Sequence, residues 1–311
     1  MKKNIFSPAL SMLIKSTLPA ILTLVLSGCA QNSAHIEKRN GYYSLHDYQA
    51  TGQNERVRFL VMHYTALDDS QSLKTLTEEQ VSAHYLIPSE PAWIQGKPVV
   101  LQLVDERKRA WHAGVSFWNG RSNLNDASIG IEIVNKGFTE DMHGERIWYP
   151  YQEKHISALI ALAKDIIQRY QITPDNVVGH SDIAPLRKQD PGKLFPWQRL
   201  AAAGIGAWPD SLTVTRYLAD RSRYAPADVS VIQALLKRYG YDQIPQNGVL
   251  DEDTQKIISA FQMHFRPEDI SGRADAETEA IARALIDKYR PAAAPALGPE
   301  SASVANPASR A

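Results

Sequence analysis

The spacing of apolar residues changes near residue 208, and this change constrains the fold more than any other feature. Before it, short runs rich in β-forming residues, such as residues 57–64 (VRFLVMHY) and 128–135 (SIGIEIVN), predict buried strands. Residues 151–170 instead carry apolar side chains at spacings of three and four, which predicts a helix. Because strands and helices do not alternate strictly, we predict an α/β domain with a mixed central β-sheet flanked by helices.

Beyond residue 208 the pattern is helical throughout. Residues 225–239, 251–265 and 275–289 have apolar residues at helical spacing, with glycines where the chain is expected to reverse. We therefore predict one domain over 41–208 and a small all-α three-helix domain over 209–290. The segment 291–311 is rich in Pro, Ala and Ser, which is typical of a disordered tail.

The N-terminus has the pattern of an export signal. Lys2 and Lys3 precede an apolar run of about 12 residues, which is too short for a membrane-spanning helix but suits a signal peptide. The run ends in Leu-Ser-Gly-Cys at Cys29, which resembles the processing box of bacterial lipoproteins. We predict a lipoprotein signal peptide over 1–28, acylation of Cys29 and a polar tether over 29–40.

Cys29 is the only cysteine in the chain, so neither an intramolecular disulfide nor a thiolate metal cluster can form. The alternative is an ordinary cleaved signal with an incidental cysteine. Ala30 and Gln31 follow Cys29, and in bacterial lipoproteins the lack of Asp there indicates routing to the outer membrane. We expect a protein held in the outer membrane by its acyl chains and facing the periplasm.

The charge balance excludes one class of partner. Lys plus Arg and Asp plus Glu number 34 each, so there is no net charge that would favour a nucleic acid. We take a monomer as the default state.

Polar residues suited to metal chemistry occur in three segments. His63 ends one buried strand, Glu132 lies within another, and His180 and Asp190 follow a third short apolar run. Two histidines and a carboxylate, with a fourth position left open, form a common catalytic zinc set. A nearby Glu could accept a proton from the zinc-bound water, and Lys188 could stabilise the oxyanion. Taken singly, each has a simpler interpretation: a hydrogen-bonded histidine, a solvent-facing glutamate or an ordinary turn.

The combination resembles a known family. The segment 63–197 is similar to the zinc-dependent N-acetylmuramoyl-L-alanine amidases of type 2, which include the peptidoglycan recognition proteins and amidase-type phage lysozymes. The matching motifs are His63-Tyr64-Thr65, Ala110-Trp111-His112-Ala113-Gly114, Asn125-Asp126, residues 128–132 (SIGIE) and residues 179–192 (GHSDIAPLRKQDPG). Within the family, the chain most resembles outer-membrane lipoprotein amidases that carry a C-terminal helical domain.

The resemblance implies residue roles and a reaction. It makes His63, His180 and Asp190 the ligands of a Zn²⁺ ion, with Asp190 where many relatives have Cys. It makes Glu132 the general base and Lys188 the stabiliser of the oxyanion. The implied reaction is hydrolysis of the amide between (anhydro-)N-acetylmuramic acid and L-alanine in peptidoglycan and muropeptides, for cell-wall turnover or recycling.

Further residues are candidates for substrate binding. We predict that Trp111 and His112 line the groove and that Arg121 meets a carboxylate of the peptide. His84 is a further candidate because it begins a predicted strand that could border the site. A core aromatic is an equal alternative for Trp111, whereas a solvated surface residue is the preferred interpretation for Arg121 and a structural histidine the preferred one for His84. The C-terminal helices resemble a peptidoglycan-binding domain, and a packing domain without a ligand is the alternative.

Two other functions are possible on the same residues. Recognition proteins of this family bind wall fragments without cutting them and lack a zinc ligand, whereas this chain has all three. A wall peptidase or deacetylase could use the same metal set, and the products would distinguish it, because only an amidase releases peptides with a new L-alanine amino terminus.

Overall fold

The computed structural model describes residues 35–291, and these belong to two compact units divided between Gln53 and Asn54. The predicted signal peptide, Cys29 and the predicted tail from residue 292 onward lie outside the described residues. None of the helices described is both long enough and apolar enough to cross a membrane.

The first unit is a small hairpin. Strand β1 (Ile36–Lys38) pairs antiparallel with β2 (Tyr43–Leu45), and the N–H of Arg39 donates to the carbonyl of Tyr42 at 2.9 Å across the turn. Regular structure therefore starts within the segment 29–40 that we predict as a tether. The sequence did not indicate this strand, because its side chains are exposed and only backbone hydrogen bonds define it.

The second unit contains the remaining strands and all the helices described. The strands are β3 (Phe59–Tyr64), β4 (Tyr85–Ile87), β5 (Trp93–Ile94), β6 (Lys97–Pro98), β7 (Leu101–Gln102), β8 (Phe117–Trp118), β9 (Arg121–Ser122), β10 (Ser128–Ile133), β11 (Phe138–Glu140), β12 (Arg146–Trp148) and β13 (Val177–Gly179). The helices are α1 (Asp69–Thr77), α2 (Glu153–Tyr170), α3 (His180–Ile183), α4 (Trp197–Ala202), α5 (Ser211–Leu218), α6 (Val229–Tyr239), α7 (Glu252–Phe265) and α8 (Ala276–Tyr289).

The central sheet has the strand order β13-β3-β10-β4-β7. The first four strands are parallel and β7 is antiparallel, so the predicted mixed sheet is confirmed. Strands β3 and β10 are almost wholly buried, as expected for central parallel strands covered on both faces.

Each face of the sheet packs against helices. Leu60 and Met62 of β3 belong to one apolar cluster with α2, whereas Phe59 and Val61 belong to another cluster that includes α6, α7 and α8. Successive residues of a strand point to opposite faces, which explains this division. The C-terminal helices therefore share a hydrophobic core with the sheet.

The C-terminal region contains four helices, not the three predicted. The additional helix α5 (Ser211–Leu218) is short and has no buried residue, although Val214 packs against the core, and it was not distinguished in the sequence. The other three begin one to four residues later than predicted, each after an aspartate whose carboxylate accepts backbone N–H groups of the first turn. These capping residues are Asp228, Asp251 and Asp275.

Candidate active site

Three predicted site residues lie at the carboxyl ends of neighbouring parallel strands. His63 in β3 is directly opposite Glu132 in β10, so both side chains project from the same face of the sheet. His180 opens α3 immediately after β13, which pairs with the other edge of β3. Ligand sites in sheets of parallel strands lie at this edge.

One atom from each of three side chains converges at this edge. His63 Nδ1 lies 3.1 Å from His180 Nδ1 and 2.9 Å from Asp190 Oδ2, and the last two atoms are 3.1 Å apart. All three residues are less than 9% exposed, and together they form a cluster able to hold a metal ion.

The hydrogen bonds around His63 determine which of its nitrogens carries a proton. Its Nε2 lies 3.0 Å from Nδ1 of His112, and His112 Nε2 lies 3.1 Å from the hydroxyl of Ser128. That hydroxyl donates to the carbonyl of Leu124 at 2.6 Å, so it accepts from His112. His112 therefore accepts from His63 Nε2–H, and His63 Nδ1 is left with a lone pair.

His180 has the same arrangement. Its Nε2 lies 3.1 Å from the carbonyl oxygen of Ala113, which can only accept, so Nε2 carries the proton and Nδ1 has the lone pair. Two nitrogen lone pairs and a carboxylate oxygen then face one another with no proton between them. A cation satisfies this arrangement, and ligands of a tetrahedral zinc ion are about 3.3 Å apart, close to the observed spacing.

Burial keeps His63 in the protonation state that a metal requires. Burial and the neighbouring His180 lower the pKa of His63 to about 4, so its imidazole is neutral at pH 7. His63 can thus bind a metal without releasing a proton.

Glu132 is in a different electrostatic position. Its Oε2 is buried and has no hydrogen-bond partner in the described part of the chain. Burial, together with the nearby charge of Asp190, raises the pKa of Glu132 to about 8. A carboxyl group with a pKa near neutrality can both take and give a proton.

These groups open into a cavity of about 420 Å³. Glu132, His180, Asp190 and Lys188 all line it. Trp111 stands at its edge with 50% of its surface exposed, so it is a groove residue and not a core aromatic.

The other candidate residues lie in three different environments. His112 lines the cavity but is only 8% exposed, and both its ring nitrogens bond within the protein, so its main contact is with His63. Arg121 lies in β9, on an exposed hairpin, and is not among the residues that line the cavity. His84 is fully buried, with both nitrogens bonded to the backbone of Lys108 and Gly130, as a structural histidine should be.

Several residues that support the site were not singled out from the sequence. Asn125 Oδ1 accepts from the N–H groups of His112 at 3.1 Å and Ala113 at 2.8 Å, and so fixes the loop that contacts both histidine ligands. The guanidinium of Arg187 donates to the carbonyls of Ala113 and Val115. Both lie inside the matched motifs, but the motifs do not show which atoms they contact.

Comparison with known proteins agrees with this geometry. Residues 53–193 match the family profile described as N-acetylmuramoyl-L-alanine amidase, and residues 226–281 match one described as "Putative peptidoglycan binding domain". The chain is 52% identical over 266 residues to the N-acetylmuramoyl-L-alanine amidase AmiD of Escherichia coli, covering 86% of this chain and 95% of AmiD. It is 46% identical over 103 residues to the 1,6-anhydro-N-acetylmuramyl-L-alanine amidase AmpD of Enterobacter cloacae, covering 33% of this chain and 50% of AmpD.

Solved structures give the same result. AmiD from E. coli in complex with anhydro-N-acetylmuramic acid-L-Ala-D-γ-Glu-L-Lys has a TM-score of 0.78 and 51% identity, covering 82% of this chain and 98% of that one. AmpDh3 from Pseudomonas aeruginosa has a TM-score of 0.70 and 47% identity, covering 81% and 98%. The chain therefore belongs to the N-acetylmuramoyl-L-alanine amidases, hydrolases that cut the amide bond between muramic acid and L-alanine in peptidoglycan.

Proposed function

We propose that the chain is a zinc-dependent amidase whose metal is held by His63 Nδ1, His180 Nδ1 and Asp190 Oδ2. The observation that carries this proposal is the set of three buried acceptor atoms within 3.1 Å of one another with no proton between them. Two imidazoles and one carboxylate, with a fourth position open to a cavity, are typical of catalytic zinc sites. When bound, zinc would act as a Lewis acid toward the substrate carbonyl and lower the pKa of a water molecule.

Glu132 is the proposed general base. Its Oε2, which is buried and has no hydrogen-bond partner among residues 35–291, accepts a proton from the attacking water. Glu132 then passes that proton to the nitrogen of L-alanine as the amide bond breaks. Amide hydrolysis requires the second transfer because an amine leaves readily only when protonated. A pKa of about 8 before metal binding lets the protonated form donate near neutral pH, and a bound cation would favour the ionised form that the first transfer requires.

Lys188 is proposed to stabilise the negative charge that develops on the carbonyl oxygen. Its side chain is half-buried and lines the same cavity as Glu132 and Asp190. A cation held beside the reacting carbonyl favours charge that appears only in the transition state, which raises the rate without tightening ground-state binding.

Muropeptides are the proposed substrates. The cavity edge at Trp111 offers an apolar surface for a sugar ring or a peptide. The E. coli relative was solved with anhydro-N-acetylmuramic acid-L-Ala-D-γ-Glu-L-Lys, so this compound is a suitable first substrate for the present chain.

Mass spectrometry of this muropeptide after incubation with the enzyme tests the proposal. We expect the wild-type chain to release the peptide with a new L-alanine amino terminus, and a chelator or Glu132→Gln to abolish release. Added zinc restores the chelated wild type but not the variant. Intact muropeptide in every sample, with binding still measurable, would instead identify a recognition protein.

We further propose that acylated Cys29 holds the enzyme in the outer membrane, where it faces the periplasm. The support is the sequence alone: a short apolar run, the Leu-Ser-Gly-Cys box and the absence of Asp after Cys29. Metabolic labelling with palmitate should mark the wild type and not Cys29→Ser. The variant should leave the membrane fraction, whereas equal labelling of both would refute the anchor.

A further inference from the structure

Asp182 connects the metal site to the C-terminal helical domain. It lies in α3, two residues after His180, and is 1% exposed. Its Oδ2 accepts from the N–H of Gly179 at 2.6 Å, which fixes the start of the helix that carries His180.

The same carboxylate is bonded by two side chains of the helical domain. The hydroxyl of Tyr241 donates to Asp182 Oδ1 at 2.5 Å, and His264 Nδ1 lies 2.7 Å from Oδ2. Tyr241 follows α6 and His264 lies in α7. Both donors come from segments at least 59 residues further along the chain than Asp182.

These donors are rigidly held. The ring of His264 stacks on Trp197 of α4, with centroids 3.8 Å apart and an interplanar angle of 15°. Tyr241 is buried and meets Trp118 edge-to-face at 5.0 Å. Neither side chain can turn away without breaking an aromatic contact within the shared core.

A buried carboxylate is costly unless hydrogen-bond donors surround it. Here one donor comes from the backbone beside His180, and two come from the helical domain. Loss of Tyr241 would leave Asp182 Oδ1 without this donor, and loss of His264 would leave the Gly179 N–H as the remaining donor to Oδ2. In both cases the turn at Gly179 would be the part free to rearrange.

We propose that the C-terminal helical domain is a structural part of the active site, in which Tyr241 and His264 are positioning residues that hold Asp182 and thereby the metal-binding nitrogen of His180. The inference rests on the proposed function, because His180 matters only as a metal ligand. Residues that hydrogen-bond to metal ligands commonly contribute 10- to 100-fold to metal affinity or activity. We expect an effect of similar size from Tyr241 and His264, which bond to Asp182 beside the ligand His180.

The test compares Tyr241→Phe and His264→Leu, which each remove one donor, with two controls in the full chain. His264→Asn places an amide N–H near the position of Nδ1, and Tyr239→Phe removes a hydroxyl from the same aromatic cluster without touching Asp182. The measurements are zinc affinity by chelator competition, and kcat and KM on the soluble muropeptide named above.

We expect Tyr241→Phe and His264→Leu to lower both zinc affinity and kcat by about 10-fold or more, with KM within about twofold of the wild type. His264→Asn and Tyr239→Phe should stay close to the wild type. In the metal-free protein, amide hydrogen exchange over residues 177–184 should be faster in Tyr241→Phe. This variant lacks only one oxygen atom, so it carries the test if His264→Leu does not fold.

A rise in KM with unchanged kcat and zinc affinity would make the helical domain a substrate-binding element and overturn the inference. Unchanged values in both donor-removing variants would also overturn it while leaving the wild-type amidase intact. A wild type that neither binds zinc nor cleaves the muropeptide would instead refute the proposed function itself.

Discussion

His112 Nδ1 lies 3.0 Å from His63 Nε2, on the opposite side of the imidazole from the nitrogen that faces Asp190. This bond orients the His63 ring and selects the tautomer whose Nδ1 has a lone pair. His112→Ala should therefore lower zinc affinity and kcat by about 10- to 100-fold. Chelator competition and turnover of a soluble muropeptide measure both quantities.

Ser128→Ala is a milder variant with which His112→Ala should be compared. It removes the acceptor of His112 Nε2 but leaves the contact between the two histidines. We expect a smaller loss than for His112→Ala. An equal loss would mean that the hydroxyl of Ser128, and not the imidazole, determines the orientation of His63.

Gly130 is needed because His112 occupies the space where a side chain would lie. A Cβ at Gly130 would come within 2.6 Å of His112 Cδ2. Gly130→Ala should displace the His112 ring and reduce zinc affinity as much as His112→Ala does. Gly52→Ala, where a Cβ meets nothing within 4 Å, is the matched control and should leave zinc affinity unchanged.

Glu132 should affect stability in a pH-dependent way when the metal is removed. Its pKa is about 8 in the fold against an ordinary value of 4.5, so the folded state binds more protons between these values. The stability of the metal-free protein should therefore fall as pH rises from about 4.5 to 8, by a few kcal/mol at most.

Glu132→Gln removes this dependence. Thermal unfolding of the chelated proteins at pH 5 and pH 9 should show a larger stability loss for the wild type than for the variant, which is also inactive. Parallel pH profiles for the two proteins would show that Glu132 does not titrate in this range.

Lys188 should affect the rate more than binding. Lys188→Ala should lower kcat by about 100-fold with a small change in KM, because the charge is used in the transition state. Lys188→Arg keeps the charge and should retain more activity. Equal losses in both variants would point to a geometric role for the lysine and not to its charge.

Trp111 should affect substrate binding and not folding. Because half of its surface is exposed, Trp111→Ala should raise KM by about 10-fold and leave the melting temperature nearly unchanged. Trp93→Ala is the control, since Trp93 is similarly exposed but does not line the cavity. A drop in melting temperature for Trp111→Ala alone would favour a packing role.

The sequence was sufficient to predict the features that depend on local pattern. The buried strands carrying His63 and Glu132 follow from apolar runs, and α2 follows from spacing, although it begins at Glu153 and not at residue 151. The strand β1 and the helix α5 were missed because both are short and neither has a buried residue.

Contacts between residues that are far apart in the sequence could not be predicted from local sequence patterns. His112 lines the cavity as predicted, but its bond to His63 was not foreseen. Its ring fits there because Gly130, in the distant strand β10, has no side chain. Nothing near Asp182 in the sequence indicates that its hydrogen-bond donors lie in another domain.

The hydrophobic cluster that joins Phe59 and Val61 of β3 to the C-terminal helices affects how this enzyme can be divided or reused. A protein cut near residue 208 would expose one face of its central sheet to water, and the separated helices would lose the surface that covers them. Heating should unfold both parts in a single transition. The helices are accordingly a poor choice as a portable wall-binding tag. Fused to another hydrolase, they would expose the apolar residues that pack here against strand β3.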